Sequence, residues 1–188
     1  MKFLIVLALT VSSAFAQAFE DYGVEAGFRS QNFTADTTGV STSSEIGYQL
    51  GVSGAVPVSG AFVFRSGLFY TERPLKYSVT GGDATIKLTY FDIPLTFGYK
   101  FSDYALVYLG PVLAVKLSDN VKSSGTLSGT TSSSVSPKGT IVPIVLGAAF
   151  RFAPQIGANV FFEMTSGEAA TGAKDLRAVG ANLIVYLD

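Results

Sequence analysis

The stretch EIGYQLGVSGAV, residues 45–56, decides the fold. Its even positions read Ile46, Tyr48, Leu50, Val52, Gly54 and Val56; its odd positions read Glu45, Gly47, Gln49, Gly51, Ser53 and Ala55. A period of two marks a β-strand, because successive side chains leave the pleat on opposite faces. One face is apolar and the other small or polar. The stretch is also long enough to cross a hydrocarbon layer as a tilted strand, which takes about 9–11 residues.

The same pattern recurs on either side. Tyr22, Val24, Ala26 and Phe28 alternate with Gly23, Glu25, Gly27 and Arg29, and Ala61–Thr71 sets Phe62, Phe64, Leu68 and Tyr70 against Val63, Arg65, Gly67, Phe69 and Thr71. Between Thr85 and Phe101 the phase changes: Ile86 and Leu88 are even, whereas Ile93, Leu95, Phe97, Tyr99 and Phe101 are odd. A bulge near Tyr90-Phe91 would account for the slip. Pro94, within the same segment, removes a ladder donor and marks a structural irregularity. Further strands are expected at Tyr104–Lys116, Thr140–Phe152, Gly157–Thr165 and Leu176–Leu187, the first and last of these apolar on both faces and open in their facing.

The sum is about eight strands, an even number that fits a bacterial up-and-down antiparallel transmembrane barrel. The connections alternate in length as such a barrel requires. Pro57–Gly60, Ser102-Asp103 and Ala153–Gln155 are tight, whereas Thr34–Ser43, Arg73–Ala84, Ser118–Gly139 and Ser166–Asp175 are long. Short periplasmic turns and long external loops follow this order. The Ser118–Gly139 stretch, rich in Ser, Thr and Gly, is too polar to bury.

Alternation does not say which face meets water; the second face does. A soluble barrel of the lipocalin kind, the outside alternative, would cover its exterior with Lys, Glu and Thr. Here that face is mostly Gly, Ser and Ala with an occasional charge, which suits a narrow lumen where glycines make room for long side chains of opposite strands. Phe62, Phe101, Tyr104 and Phe152 fall beside the short turns and Tyr70 and Tyr90 near the long loops, the expected places of two interfacial girdles. Charged residues make up only 14% of the chain against about a quarter in soluble domains, a deficit that a lipid-facing exterior explains.

The first segment reads as an address. Met1-Lys2 is a short positive start, Phe3–Val11 an apolar core too short to span a bilayer, and Ala14-Phe15-Ala16 a small-x-small cleavage pattern. Residues 1–16 are therefore expected to be a signal peptide cut before Gln17, leaving residues 17–188 as an outer-membrane barrel domain.

The run Tyr90-Phe91-Asp92-Ile93-Pro94-Leu95, continuing through Tyr99-Lys100-Phe101 to Leu109-Gly110-Pro111, resembles the PorT-like outer-membrane β-barrel family, in which a Tyr-x-acid-Ile-Pro-Leu strand is followed by one carrying Gly-Pro. The resemblance covers about thirty residues. It implies an outer-membrane barrel and no catalytic residues. One departure concerns the end: barrels of this compartment usually close on an aromatic residue that aids assembly, whereas this chain ends Tyr186-Leu187-Asp188.

Strand parity sends Glu25, Arg29, Glu45, Arg65, Asp92, Lys100, Arg151 and Glu163 into the lumen. Charges of both signs in a narrow space should form ion pairs, since each is costly alone. The expectation is a plugged, ion-paired lumen with a structural or surface-contact role for the loops; the alternative is a narrow channel for a small solute. Catalysis is not expected, because the chain has no histidine, the commonest general base and metal ligand, and its paired carboxylates have basic company. With no cysteine and no histidine, neither a metal nor another cofactor is implied. A net charge of −1 with scattered basic residues excludes nucleic acid. The partners left are outer-membrane lipid, the barrel assembly machinery, and an envelope or extracellular component met by the loops.

Overall fold

A computed structural model describes residues 20–35, 41–79, 82–123, 137–170 and 172–187. The expected signal peptide lies outside them, as does most of the Ser/Thr-rich loop. Among the described residues eight long strands form the wall: β1 (Glu20–Ala35), β2 (Glu45–Ser59), β3 (Phe62–Val79), β4 (Gly82–Ser102), β5 (Ala105–Ser123), β6 (Ile144–Ala153), β7 (Ile156–Met164) and β8 (Ala173–Tyr186). Each pairs antiparallel with the next, and β8 returns to β1 from Gly23↔Tyr186 to Ala35↔Ala173, so the sheet closes. Closure leaves no free sheet edge in the spanning region, which a hydrocarbon solvent demands. Three short strands, Ser41–Ser43, Thr140–Ile141 and Glu168–Ala170, thicken the loop end.

The facing follows the sequence pattern. Phe28, Ile46, Leu50, Leu68, Phe97, Leu109, Leu146, Val160 and Leu183 point outward, while Glu25, Arg29, Arg65, Asp92, Asn159, Glu163 and Asn182 are buried inside. β5 and β8 now have a direction: Tyr108, Val112 and Ala114, and Leu176, Ala178, Asn182, Ile184 and Tyr186, face in. Phe62, Phe101, Tyr104 and Phe152 are exposed at the turn end, and Tyr48 and Tyr70 stack on the outer face nearer the loops, ring centres 6.2 Å apart.

Several expectations need correction, and most share one cause. Arg73–Ala84 is not a loop: the β3–β4 ladder continues from Arg73↔Leu88 to Val79↔Gly82. Nor does β4 change face near Tyr90-Phe91, because Ala84, Ile86, Leu88, Tyr90, Asp92, Pro94, Thr96 and Gly98 all point inward. A bulge does occur at this level, but Leu117 of β5 is the extra residue, between the pairs Thr89↔Ser118 and Tyr90↔Lys116. Tyr90 is no girdle residue, being 0% exposed. What changes along β4 is the surrounding solvent. Towards the turns the wall is apolar outside and polar inside; past Arg73 and Tyr90 it is polar outside, with Lys76, Ser78, Thr85 and Lys87, and apolar inside, with Leu75, Ile86 and Leu88. The seven-residue continuation of β3 from Arg73 to Val79, about 20 Å along a tilted strand, thus lifts a water-facing extension about 15 Å beyond the apolar band. Its interior is a cluster in which Phe33, Leu75, Ile86, Leu88, Tyr90 and Leu176 pack with Ala169 and Ala170 of the short strand Glu168–Ala170 and with Ala173 at the start of β8. The expected strand Thr140–Phe152 is likewise split at Val142-Pro143.

Candidate functional site

Charged side chains inside the lumen stand in tiers stacked along the barrel axis. Nearest the turns, Lys100 Nζ lies 2.5 Å and Arg151 Nη1 3.4 Å from the carboxylate of Asp21, and the Arg151 guanidinium covers the Tyr186 ring at 3.9 Å. The strand alternation placed Lys100 and Arg151 inside but missed Asp21, which precedes the first clear alternation and sits in a left-handed conformation, φ 50°.

In the middle tier Glu25 is 0% exposed. One of its oxygens accepts from Arg65 Nη2 and Ser53 Oγ, and the other from the Asn159 and Asn182 amides, each at 3.0 Å. Tyr108 donates to Asn159 Oδ1 at 2.7 Å, and Arg65 stacks over its ring at 4.6 Å. Four donors around one carboxylate match its acceptor capacity.

The third tier joins four strands. Glu163 accepts from Arg29 Nη2 at 2.6 Å and from Arg73 Nη2 at 3.1 Å through both oxygens. Arg73 also grips Asp92, Nη1 to Oδ1 at 2.8 Å and Nη2 to Oδ2 at 2.8 Å, the two-pronged geometry that a guanidinium offers a carboxylate. Phe161 and Tyr90 rings lie 5.9 and 5.2 Å from Arg29 and Arg73. Arg73 escapes the strand parity because its segment, rich in turn-forming residues, reads as a loop, although Arg73, Leu75 and Tyr77 alternate with Pro74, Lys76 and Ser78. Glu45 lies at the rim, half-buried, 3.7 Å from Lys76. Lys87 pairs with Glu72 at 3.0 Å beside it.

Glycine makes these tiers possible, by admitting side chains from adjacent strands as well as from across the lumen. A Cβ on Gly147 would strike the Tyr108 ring of the neighbouring strand, and one on Gly180 would strike Phe161. Each aromatic lies over the small residue beside it, which frees the lumen centre for the arginines. A cavity of about 40 Å³ lies between the first and second tiers and another of about 40 Å³ between the second and third, each with room for a few waters. The three tiers thus hold five cationic and four anionic groups, each bonded to one of opposite sign.

The family model described as the outer membrane protein beta-barrel domain matches residues 15–166. No curated protein matches the sequence. Among solved structures, neisserial surface protein A (NspA) superposes with a TM-score of 0.53 at 14% identity, over 88% of this chain and 97% of its own, a likeness of fold. Ail, the attachment invasion locus protein of Yersinia pestis, solved with the heparin analogue sucrose octasulfate, gives 0.49 at 11% identity over 88% and 97%. OprG of Pseudomonas aeruginosa gives 0.46 at 10% over 88% and 93%.

Proposed function

The chain belongs to the family of the outer membrane protein beta-barrel domain, and from that premise we propose that it is a surface-contact protein with a closed lumen, presenting its extension to a component outside the cell. The inversion of polarity past Arg73 and Tyr90 carries this reading. A sheet that only anchored itself would end at the membrane interface, whereas this one continues with its own apolar interior and a polar outer face, as a rigid platform requires. Closure rests on the ion-paired tiers and on the alanine-rich loop packed above them. In keeping with this reading, residues 1–16 act as the export signal, the lumen is not catalytic, and the run Tyr90–Leu95 marks the narrower PorT-like kinship.

Photocrosslinkers placed at Ser118 or Lys87, on the outer face of the extension, are expected to capture an envelope or extracellular partner in intact cells, while one at lipid-facing Leu109 captures none. Equal capture at all three positions, or none at any, overturns the contact role. Steady single-channel currents in planar bilayers that change with Arg65→Ala would overturn the closed lumen.

A further inference from the structure

Three successive seams of the wall are interrupted, each opposite a proline. Between β3 and β4 the pairing skips from Ser66↔Leu95 to Phe69↔Asp92, passing Pro94. Between β4 and β5 it skips from Pro94↔Val112 to Phe97↔Leu109, passing Pro111. Between β5 and β6 it stops at Pro111↔Ile144 and resumes at Ala114↔Ile141, passing Pro143. The register beyond each gap is unchanged, so these are missing bonds and not bulges. Val112 still donates to the Pro143 carbonyl at 2.8 Å, which fixes the alternation of the ladder. That alternation aims the absent proline donors at the carbonyls of Gly67, Leu95 and Val112. Unpaired carbonyls in a wall that faces hydrocarbon make this diagonal its weakest line.

The diagonal also separates two different environments. Outside it stand Leu95, Leu113 and Val142, all lipid-facing. Behind it, Pro94 and Val112 line the cavity between the second and third tiers together with Gln49, Thr71 and Asn159. Thr71 is 0% exposed and its hydroxyl has no partner. A polar recess behind a weakened apolar wall matches a ligand with one polar end. We propose that the Pro94–Pro111–Pro143 diagonal is a lateral port through which this cavity takes the small hydrogen-bonding head of a single-chain amphiphile dissolved in the bilayer, the tail staying in lipid. The charged groups that line the recess, Arg65, Asp92 and Glu163, are each already held in an ion pair, which leaves the free hydrogen bond of Thr71 for an uncharged head. The apolar cluster at the loop end leaves this sideways route open while blocking the axial one.

The chain has no cysteine, so a single introduced thiol is a clean reporter. In protein reconstituted into liposomes, dodecyl maleimide, itself such an amphiphile, is expected to label Val112→Cys at least about tenfold faster than Ala178→Cys, which is equally buried on β8. A charged, membrane-impermeant thiol reagent should show no such preference. Adding Pro111→Val and Pro143→Val, which restores two donors, should slow the labelling of Val112→Cys. Equal labelling of the two cysteines, a matching preference with the charged reagent, or no slowing in a folded proline variant overturns the port. Should the proline variant not fold, amide exchange of the unaltered protein in lipid decides: Val112 and Leu113 must exchange faster than Val160 and Ala181, and equal rates refute it.

Discussion

Glu163→Gln should destabilise the barrel far more than removal of the arginine it holds. Glu163 is the partner of Arg29 Nη2 at 2.6 Å, while Arg29 Nε and Nη1 have no partner at all, and Arg29 is 1% exposed. Neutralising Glu163 therefore strands a buried guanidinium, at a cost of about 3–5 kcal/mol. Arg29→Met is different, because Glu163 keeps its two 3.1 Å bonds from Arg73 and the methionine fills apolar space beside Phe161. Its cost should stay below about 1 kcal/mol, since exchanging buried charge for packed hydrocarbon is often neutral. The double variant should recover most of what Glu163→Gln loses, because no stranded cation remains. Urea titration in lipid vesicles, read by the heat-dependent gel shift of folded barrels, measures all three. With a denaturant slope of about 1–3 kcal/mol per molar, Glu163→Gln should lower the midpoint by more than about 1 M and Arg29→Met should barely move it. Equal midpoints for the two single variants would refute the assignment of the third tier.

Other predictions contrast the two solvents of the wall. Leu88→Ala, inside the extension, should cost about 2–5 kcal/mol by leaving a cavity, whereas Leu109→Ala, on the lipid face, should cost less than about 1 kcal/mol because lipid fills the space; urea midpoints compare them. Gly147→Val should drive Tyr108 away from Asn159 and weaken or abolish the heat-dependent gel shift, while Gly139→Val, with open space around its Cβ, should leave it intact. Tyr90→Phe keeps the ring over Arg73 but loses the bond to the Lys138 carbonyl, for a loss of about 0.5–1.5 kcal/mol in the same titration. Tyr90→Ala should cost about 3–5 kcal/mol.

The wall was legible because its solvent is uniform within the band. From Ile46 to Val52, and again from Val179 to Leu187, every second residue meets lipid, and a period of two states this directly. The inward charges followed from the same parity. Their pairing did not, because a strand pattern says which face a residue takes but not its height along the axis relative to a residue many strands away. Glu25 and Asn182 meet only once β8 closes on β1. The extension was misread for a related reason. Leu75, Tyr77, Ile86 and Leu88 still alternate, but their apolar face is turned inward, so one continuous strand looked like a strand out of phase. Arg73 was lost with it. A rule that allowed apolar and polar faces to exchange where a strand leaves the membrane would have recovered both.

That exchange of faces also acts as a depth gauge. Leu113 and Leu95 sit below it and Lys87 and Lys76 above it. One residue of vertical slip moves the wall by about 3.3 Å along each strand. Slipping inward would draw Lys87 and Glu72 towards hydrocarbon, at up to about 2.5–3.5 kcal/mol for each charge that reaches the core, and slipping outward would lift Phe91 and Leu113 into water. The row at Arg73 and Tyr90 therefore pins the chain to one height and tunes it to a bilayer of one thickness. In a thicker membrane the lipid would have to thin around the barrel, because the barrel cannot rise or sink to meet it.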